Sequence, residues 1–70
     1  MAFRLTDRGE EAATNPHARR GMDLKVVQFM YAMKSSVELE EILDETQMSD
    51  EGGLTVMKRL INEGYVEETE

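Results

Sequence analysis

Residues 37–68 read VELEEILDETQMSDEGGLTVMKRLINEGYVEE, and this order of side chains predicts a helix, a tight turn, a second helix and a short strand. In the first helix, about residues 38–46, Leu39, Ile42 and Leu43 recur at helical spacing and should face inward. The opposite face carries the acidic residues Glu38, Glu40, Glu41, Asp44 and Glu45. The region therefore begins with an amphipathic helix whose exposed side is strongly negative.

The second helix has clear start and stop signals. Ser49 is a favourable N-cap, and Asp50 and Glu51 place negative charge at the positive end of the helix dipole. Gly64 suits a left-handed C-cap after a helix over about residues 50–63, and a short strand at about residues 65–67 follows. The predicted buried face consists of Leu54, Met57, Leu60 and Ile61.

The turn between the two helices is Gln47-Met48-Ser49. Turns of this kind place their first residue at positive φ, a conformation that glycine adopts most readily. Because Gln47 stands at that position, the sequence predicts either strain of about 1 kcal/mol or a differently shaped turn. Met48 is expected to fill the space between the helices.

Two short motifs resemble the winged helix-turn-helix family. RLINEGYV, residues 59–66, resembles the RLxxxGxV ending of recognition helices in that family. LTDRGEEA, residues 5–12, resembles the LTxxGxxA segment that often follows the last wing strand of winged-helix regulators. In those families the segment comes after the recognition helix, whereas here it comes first. The resemblance covers about residues 22–67 and implies a trihelical core whose third helix reads DNA.

The N-terminal segment predicts a strand followed by a short helix. FRL at residues 3–5 alternates apolar and polar side chains, and Thr6 is a favourable N-cap for a helix over about residues 7–14. Ala12 and Ala13 should face the interior, and NP at residues 15–16 should end the helix. The basic connector HARRG follows, and its His17 is expected to be solvated because no second His or Cys completes a metal-ligand set.

The next helix, about residues 24–34, is apolar on nearly all sides. Asp23 is its predicted N-cap, and Ser35-Ser36 is its predicted end. Such a helix is either central to the fold or covered by a partner. Met30 and Met33 could form an adaptable binding surface, although core filling is the commoner role. The apolar positions are Leu24, Val26, Val27, Phe29, Met30, Tyr31 and Met33.

These elements predict one winged-helix-like domain over residues 1–70 that is mainly α with a small β element. Residues 1–21 supply a strand, a short helix and a connector, and residues 22–67 supply the helix-turn-helix core and the C-terminal strand. The terminal strands, about residues 3–5 and 65–67, should pair antiparallel, and Val37 should extend the sheet by one residue. The usual wing is expected to be missing, with the N-terminal strand replacing its returning strand, and residues 68–70 are expected to fray.

Composition limits the function classes. The 70-residue chain has no cysteine, which argues against disulfides and thiolate metal sites. No apolar run indicates a signal peptide or a membrane helix, so a cytoplasmic protein without membrane association is expected. The net charge is −7, and residues 37–70 contain two basic residues against eleven acids. Nucleic-acid binding normally leaves a basic footprint, and this half of the chain has the opposite sign.

An enzyme is not expected from this sequence. One histidine and no cysteine leave no nucleophile–base set, and the carboxylates lie on predicted outer helix faces. DEGG at residues 50–53 lacks the alternating oxygen ligands of a calcium loop and the Lys-Ser/Thr of a phosphate loop. No catalytic residue, cofactor, metal ion or small-molecule substrate is therefore predicted.

The favoured functional hypothesis is a regulatory or adaptor module linked to transcription. It would bind a protein partner with basic residues through the acidic side chains of Glu40, Glu41 and Asp44. Self-association is a further possibility, because the apolar helix could bury part of its surface in a homodimer. Gly52 and Gly53 could let a partner backbone approach, could pack closely against the preceding helix, or could belong to a fraying first turn.

The alternative hypothesis is a sequence-specific DNA-binding regulator that acts as a homodimer. The acids and glycines at the start of the recognition helix argue against it. The recognition-helix surface would consist of Asp50, Glu51, Gly52, Thr55, Lys58, Arg59 and Asn62. The basic residues available for the DNA backbone would be Arg4, Arg8, Arg19, Arg20 and Lys25.

Overall fold

The computed structural model describes residues 1–15 and 21–69, with the backbone alone for Met22. Within these ranges the chain is mainly helical and has a small antiparallel sheet. The helices are α1 (Asp7–Thr14), α2 (Met22–Met33), α3 (Leu39–Thr46) and α4 (Asp50–Asn62), and the strands are β1 (Ala2–Leu5), β2 (Val37–Glu38) and β3 (Val66–Thr69). The predicted features at Pro16, His17, Arg19, Arg20 and Glu70 lie outside the described residues.

β1 is the middle strand of the sheet, whose order is β2-β1-β3. It pairs antiparallel with β3, from Leu5 opposite Val66 to Ala2 opposite Thr69, and with both residues of β2. The predicted pairing of the terminal strands and the predicted contribution of Val37 are confirmed. The prediction that residues 68 and 69 fray was wrong, because both have pairing partners in β1.

The core lies between the sheet and the helices. Its largest fully buried side chains come from β1, α2, β2, α3 and α4, and they are Phe3, Val26, Val27, Val37, Ile42, Met57 and Leu60. The short helix α1 buries Ala12 and Ala13, as predicted. In α2, Met30 fills the core, but Tyr31 and Met33 remain 41% and 43% exposed. Core filling was therefore the right interpretation for Met30 and the wrong one for Met33.

The buried face of α4 is rotated relative to the prediction. Its buried residues are Gly53, Val56, Met57 and Leu60. The predicted Leu54 and Ile61 are only half-buried, and Val56 was missed. The reason is a close approach of α4 to α3, since a Cβ added to Gly53 would overlap the Leu43 side chain.

The start of α2 was predicted wrongly. Its N-cap is Gly21, not Asp23. Gly21 has φ 74° and ψ −148°, a conformation that is open almost only to glycine and is not helical, so the helix begins directly after it. Asp23 lies in the first turn instead, where a carboxylate still complements the helix dipole. The helix ends at Met33, and Lys34 adopts the left-handed conformation with φ 59° before the predicted serine stop.

Left-handed residues also end α3 and α4. Gln47 has φ 57°, so the turn adopts the positive-φ form without a glycine, at a cost of about 1 kcal/mol. Gly64 has φ 84° and donates to Ile61 O at 3.0 Å, while the Tyr65 amide donates to Leu60 O at 2.9 Å. These two bonds form a Schellman motif, which satisfies the last carbonyls of α4.

Residues of the LTDRGEEA motif contact the segment that follows α4, at the other end of the described chain. Thr6 Oγ1 accepts a hydrogen bond from Gly9 N at 3.1 Å, which confirms the predicted N-cap, and donates to Gly64 O at 2.6 Å. The Thr6 amide donates to Tyr65 O at 3.1 Å. Gly9 packs against the same carbonyl, and an added Cβ would overlap Tyr65 O. We call these four residues, Thr6, Gly9, Gly64 and Tyr65, the clasp.

Replacing Gly9 with alanine should destabilise the protein by about 1–3 kcal/mol, because the new methyl group would push α1 away from a backbone carbonyl. Urea unfolding measures the change in free energy. Glu11→Ala, at an exposed position of the same helix, is the matched control and should change stability by less than about 0.5 kcal/mol. A Gly9→Ala variant as stable as this control would contradict the clasp.

Candidate functional site

The predicted recognition-helix surface lies on one exposed side of α4. Two hydroxyl groups near this surface form hydrogen bonds with the backbone of α4. Ser49 Oγ accepts from Gly52 N at 3.1 Å, as predicted for the N-cap, and Thr55 Oγ1 donates to Glu51 O at 3.0 Å. The exposed residues are Asp50, Glu51, Gly52, Thr55, Lys58, Arg59 and Asn62. The N-terminal half of this surface therefore carries two carboxylates and no basic side chain.

Two arginines predicted to contact DNA form ion pairs within the protein. Arg59 Nη2 donates to Asp23 Oδ1 at 2.9 Å, and Arg4 Nε donates to Glu67 Oε2 at 2.8 Å. Both arginine side chains are half or more exposed, so each pair contributes no more than about 1 kcal/mol to stability. The pairs nevertheless direct both guanidinium groups toward the protein. Sequence analysis missed Asp23 as a partner because the two residues lie on different helices.

The other predicted basic residues are distributed over separate elements. Arg8 in α1 lies over the Tyr65 ring, with its guanidinium carbon 4.9 Å from the ring centre. Lys25 is exposed on α2 and Lys58 is exposed on α4. The described basic residues named in the DNA-binding hypothesis thus come from β1, α1, α2 and α4, and no single element carries them all.

Acidic residues of α3 and α4 line a shallow depression beside the turn that joins the helices. Sequence analysis assigned Glu40 and Asp44 to this surface but missed Asp50, which the turn brings back toward α3. Leu43 and Met48 are half-buried and add apolar surface to the lining, and Met48 also packs against the core. We call this site the acidic depression, and its lining residues are Glu40, Leu43, Asp44, Gln47, Met48 and Asp50.

The acidic depression suits a basic side chain. A lysine or arginine has a long aliphatic stem that packs on apolar surface while its charged head stays among polar groups. Leu43 and Met48 could contact such a stem, and the three carboxylates could pair with its head. The site therefore combines apolar contact with charge complementarity.

Glu41, the third member of the predicted acidic surface, has a structural role. Its carboxylate accepts a hydrogen bond from the Glu38 amide at 3.2 Å, a capping-box contact at the start of α3. Glu38 is consequently the N-cap, so α3 begins one residue later than predicted. The Glu38 carboxylate also lies 3.4 Å from the N-terminal ammonium of Met1. Of the three residues in the predicted acidic surface, Glu40 and Asp44 are therefore the ones without a capping role.

The adjacent glycines of α4 have different surroundings. Gly53 is buried against Leu43, so its role is close packing between α4 and α3. Gly52 is exposed, and a Cβ there would meet Ser49 Oγ at 3.2 Å. Of the roles expected for these glycines, close packing therefore applies to Gly53. A fraying first turn was the wrong interpretation, because α4 is helical from Asp50 and Ser49 caps it, and Gly52 leaves a stretch of accessible backbone on the helix surface.

Gly53→Ala should destabilise the protein by about 1–3 kcal/mol, because the added methyl group overlaps Leu43. Leu43→Ala removes the overlapping group, so Gly53→Ala should cost at least about 0.5 kcal/mol less in that background. Urea unfolding of the two single variants and the double variant gives this coupling energy. Additive effects would contradict direct packing between the two residues.

A second groove lies between β1, the start of α1 and the end of α2. The exposed side chain of Tyr31 borders it, and charges of both signs line it. Its charged residues are Arg4, Asp7, Glu10, Lys34 and Glu67. This mixture favours no particular class of ligand.

No group of three or more His, Cys, Asp and Glu side chains in the described ranges is arranged to hold a metal ion. None of the helices that the structure describes is long and apolar enough to cross a membrane. Comparison of the chain with protein-family models, curated proteins and solved structures finds no match. The function is therefore inferred from the surfaces of the chain itself.

Proposed function

We propose that the protein is a small adaptor module of the winged-helix type, without enzymatic activity, that binds a basic segment of a protein partner involved in transcription. The acidic depression carries this proposal. It joins Glu40 and Asp44 of α3 to Asp50 of α4 around apolar surface. Complementary charge would speed association and select against acidic partners, while Leu43 and Met48 would add contacts that salt does not screen.

The order of the elements supports the winged-helix part of the proposal. α3, the turn and α4 follow one another as in a helix-turn-helix, and β3 follows the Schellman motif at Gly64. β1 pairs with both β2 and β3, as expected of an N-terminal strand that replaces the returning strand of a wing. The link to transcription rests on this resemblance, which is an argument by analogy.

DNA binding through α4 has less support from the same surfaces. In the family, the N-terminal half of the third helix enters the major groove, and here that half carries Asp50 and Glu51. These carboxylates would repel the phosphates that supply most of the affinity for DNA. Arg59, further along the helix, is paired with Asp23.

The double substitution Glu40→Lys and Asp44→Lys should abolish partner binding and leave the fold intact. Both positions are exposed, and Glu41 is kept because it caps α3. The partner would be captured from lysate with the unchanged protein, purified, and titrated by calorimetry. The variant should bind it at least about tenfold more weakly, because two attractive charge contacts become repulsive.

Glu10→Lys with Glu11→Lys is the matched control, since it makes the same change in net charge on the exposed face of α1. This control should bind the partner nearly as well as the unchanged protein. Equal affinity of the α3 variant and the control would contradict the proposed site. Saturable binding to mixed-sequence DNA duplexes, weakening steeply with added salt in fluorescence anisotropy, would favour the DNA-binding alternative.

A further inference from the structure

The outward side of α2 carries a second stripe of residues at helical spacing. Val26, Val27 and Met30 are buried in the core, whereas Met33 is 43% exposed and Phe29 is half-buried against the core. Five residues recur on the outward side at i, i+3, i+4, i+7 and i+8, which is the spacing of a helix face that packs against another element. We call them the α2 stripe, and they are Lys25, Gln28, Phe29, Ala32 and Met33.

The α2 stripe differs in charge from the surfaces of the other helices. It contains one basic residue, Lys25, and no carboxylate, whereas α1, α3 and α4 each carry exposed carboxylates. Asp23, the acidic residue of α2, pairs with Arg59, and its side chain is 13% exposed. Two copies of a chain with net charge −7 repel each other, most strongly where carboxylates meet. Among the described helix surfaces, the α2 stripe therefore lets two copies approach with the least repulsion.

We propose that two copies of the chain form a dimer in which their α2 stripes pack together antiparallel. A two-fold axis beside Phe29 places Lys25 of one copy opposite Met33 of the other, because each lies four residues from the axis. The aliphatic stem of Lys25 packs on Met33, and its ammonium group reaches the C-terminal end of the other α2. That end is negative, because the helix dipole and carbonyl groups without helical donors lie there.

This self-complementarity identifies a second copy as the occupant. In an antiparallel pair the cation of each stripe meets the negative helix end of the other, whereas a parallel pair would place the two Lys25 side chains together. Ala32 is small and lets the helices approach, and the flexible Met33 fills the remaining space. The acidic depression lies on α3 and α4, so this inference goes beyond the proposed function and does not depend on it.

The length of α2 limits the strength of the dimer. The helix has 12 residues and spans about 18 Å. A contact between two helices of this length lies at the small end of the range of protein interfaces, at about 1,200 Å² or less in total. We therefore expect a dissociation constant of about 10–100 µM.

Sedimentation equilibrium of the whole protein tests the proposal. The average mass should rise from that of the monomer at about 1 µM toward that of the dimer at about 1 mM. A monomer mass at every concentration would overturn the proposal. Masses beyond that of the dimer would also overturn it, because a contact around a two-fold axis is closed.

Lys25→Glu and Ala32→Glu test the position of the contact. The first places a carboxylate beside the negative end of the other helix, and the second buries unpaired carboxylates, so each should weaken the dimer at least about tenfold. Both positions are exposed, so the fold should stay intact, which urea unfolding checks. Lys58→Glu makes the same change of charge on the exposed surface of α4 and is the matched control. Equal dissociation constants for Lys25→Glu and Lys58→Glu would contradict the proposed contact.

A single engineered cysteine tests the position of the two-fold axis, because the chain contains no cysteine of its own. Gln28→Cys lies one residue from the axis, so a short bismaleimide should join two copies of this variant. Glu11→Cys, at an exposed position of α1, should give little cross-linked dimer at the same concentration. Equal cross-linking of the two variants would overturn the proposal.

The dimer and the proposed function can be separated by variants of the acidic depression. The variant with Glu40→Lys and Asp44→Lys should dimerise as well as the control with Glu10→Lys and Glu11→Lys, because neither pair belongs to the α2 stripe. Loss of dimerisation in the first variant alone would place the contact at the acidic depression and contradict the proposal.

Discussion

β1 is the element on which the rest of the structure depends. It pairs with β2 and β3, and its Phe3 is the largest fully buried side chain. Full burial of a phenylalanine contributes about 1.5–3 kcal/mol, against about 4–10 kcal/mol for the net stability of a chain this long. The residues that flank β1 also contact the helix ends, because Met1 O accepts from Leu39 N at the start of α3 and Thr6 belongs to the clasp, which joins α1 to the end of α4. β1 and its two flanking residues thus link the sheet to the ends of three helices.

Much of this fold is predictable from local signals. Thr6, Ser49 and Gly64 end or start helices as expected, because caps and left-handed turns depend on a few neighbouring residues. The errors arise where tertiary contacts decide between two acceptable patterns. In α4, residues 53, 56, 57 and 60 and residues 54, 57, 60 and 61 both recur at helical spacing, and the close approach of Gly53 to Leu43 selects the first set. At α2, the positive-φ backbone of Gly21 takes precedence over the capping preference of Asp23.

The candidate surfaces were only partly predictable. The acidic face of α3 follows directly from the sequence, but the addition of Asp50 depends on the path of the turn. The pairing of Arg59 with Asp23 joins residues on two helices, and a charge pattern along one chain does not identify such partners. Surface charge can therefore be counted from the sequence, whereas the surfaces that carry it must be read from the fold.

Amide hydrogen exchange at Thr6 and Leu39 tests the central role of β1 most directly. The Thr6 amide donates to Tyr65 O at 3.1 Å, and the Leu39 amide donates to Met1 O at 3.0 Å. If β1 is an integral part of the fold, both amides should exchange only through global unfolding, with the free energy of opening equal to that from urea unfolding. Exchange of both amides near the unprotected rate, while the core amide of Leu60 stays protected, would contradict this account.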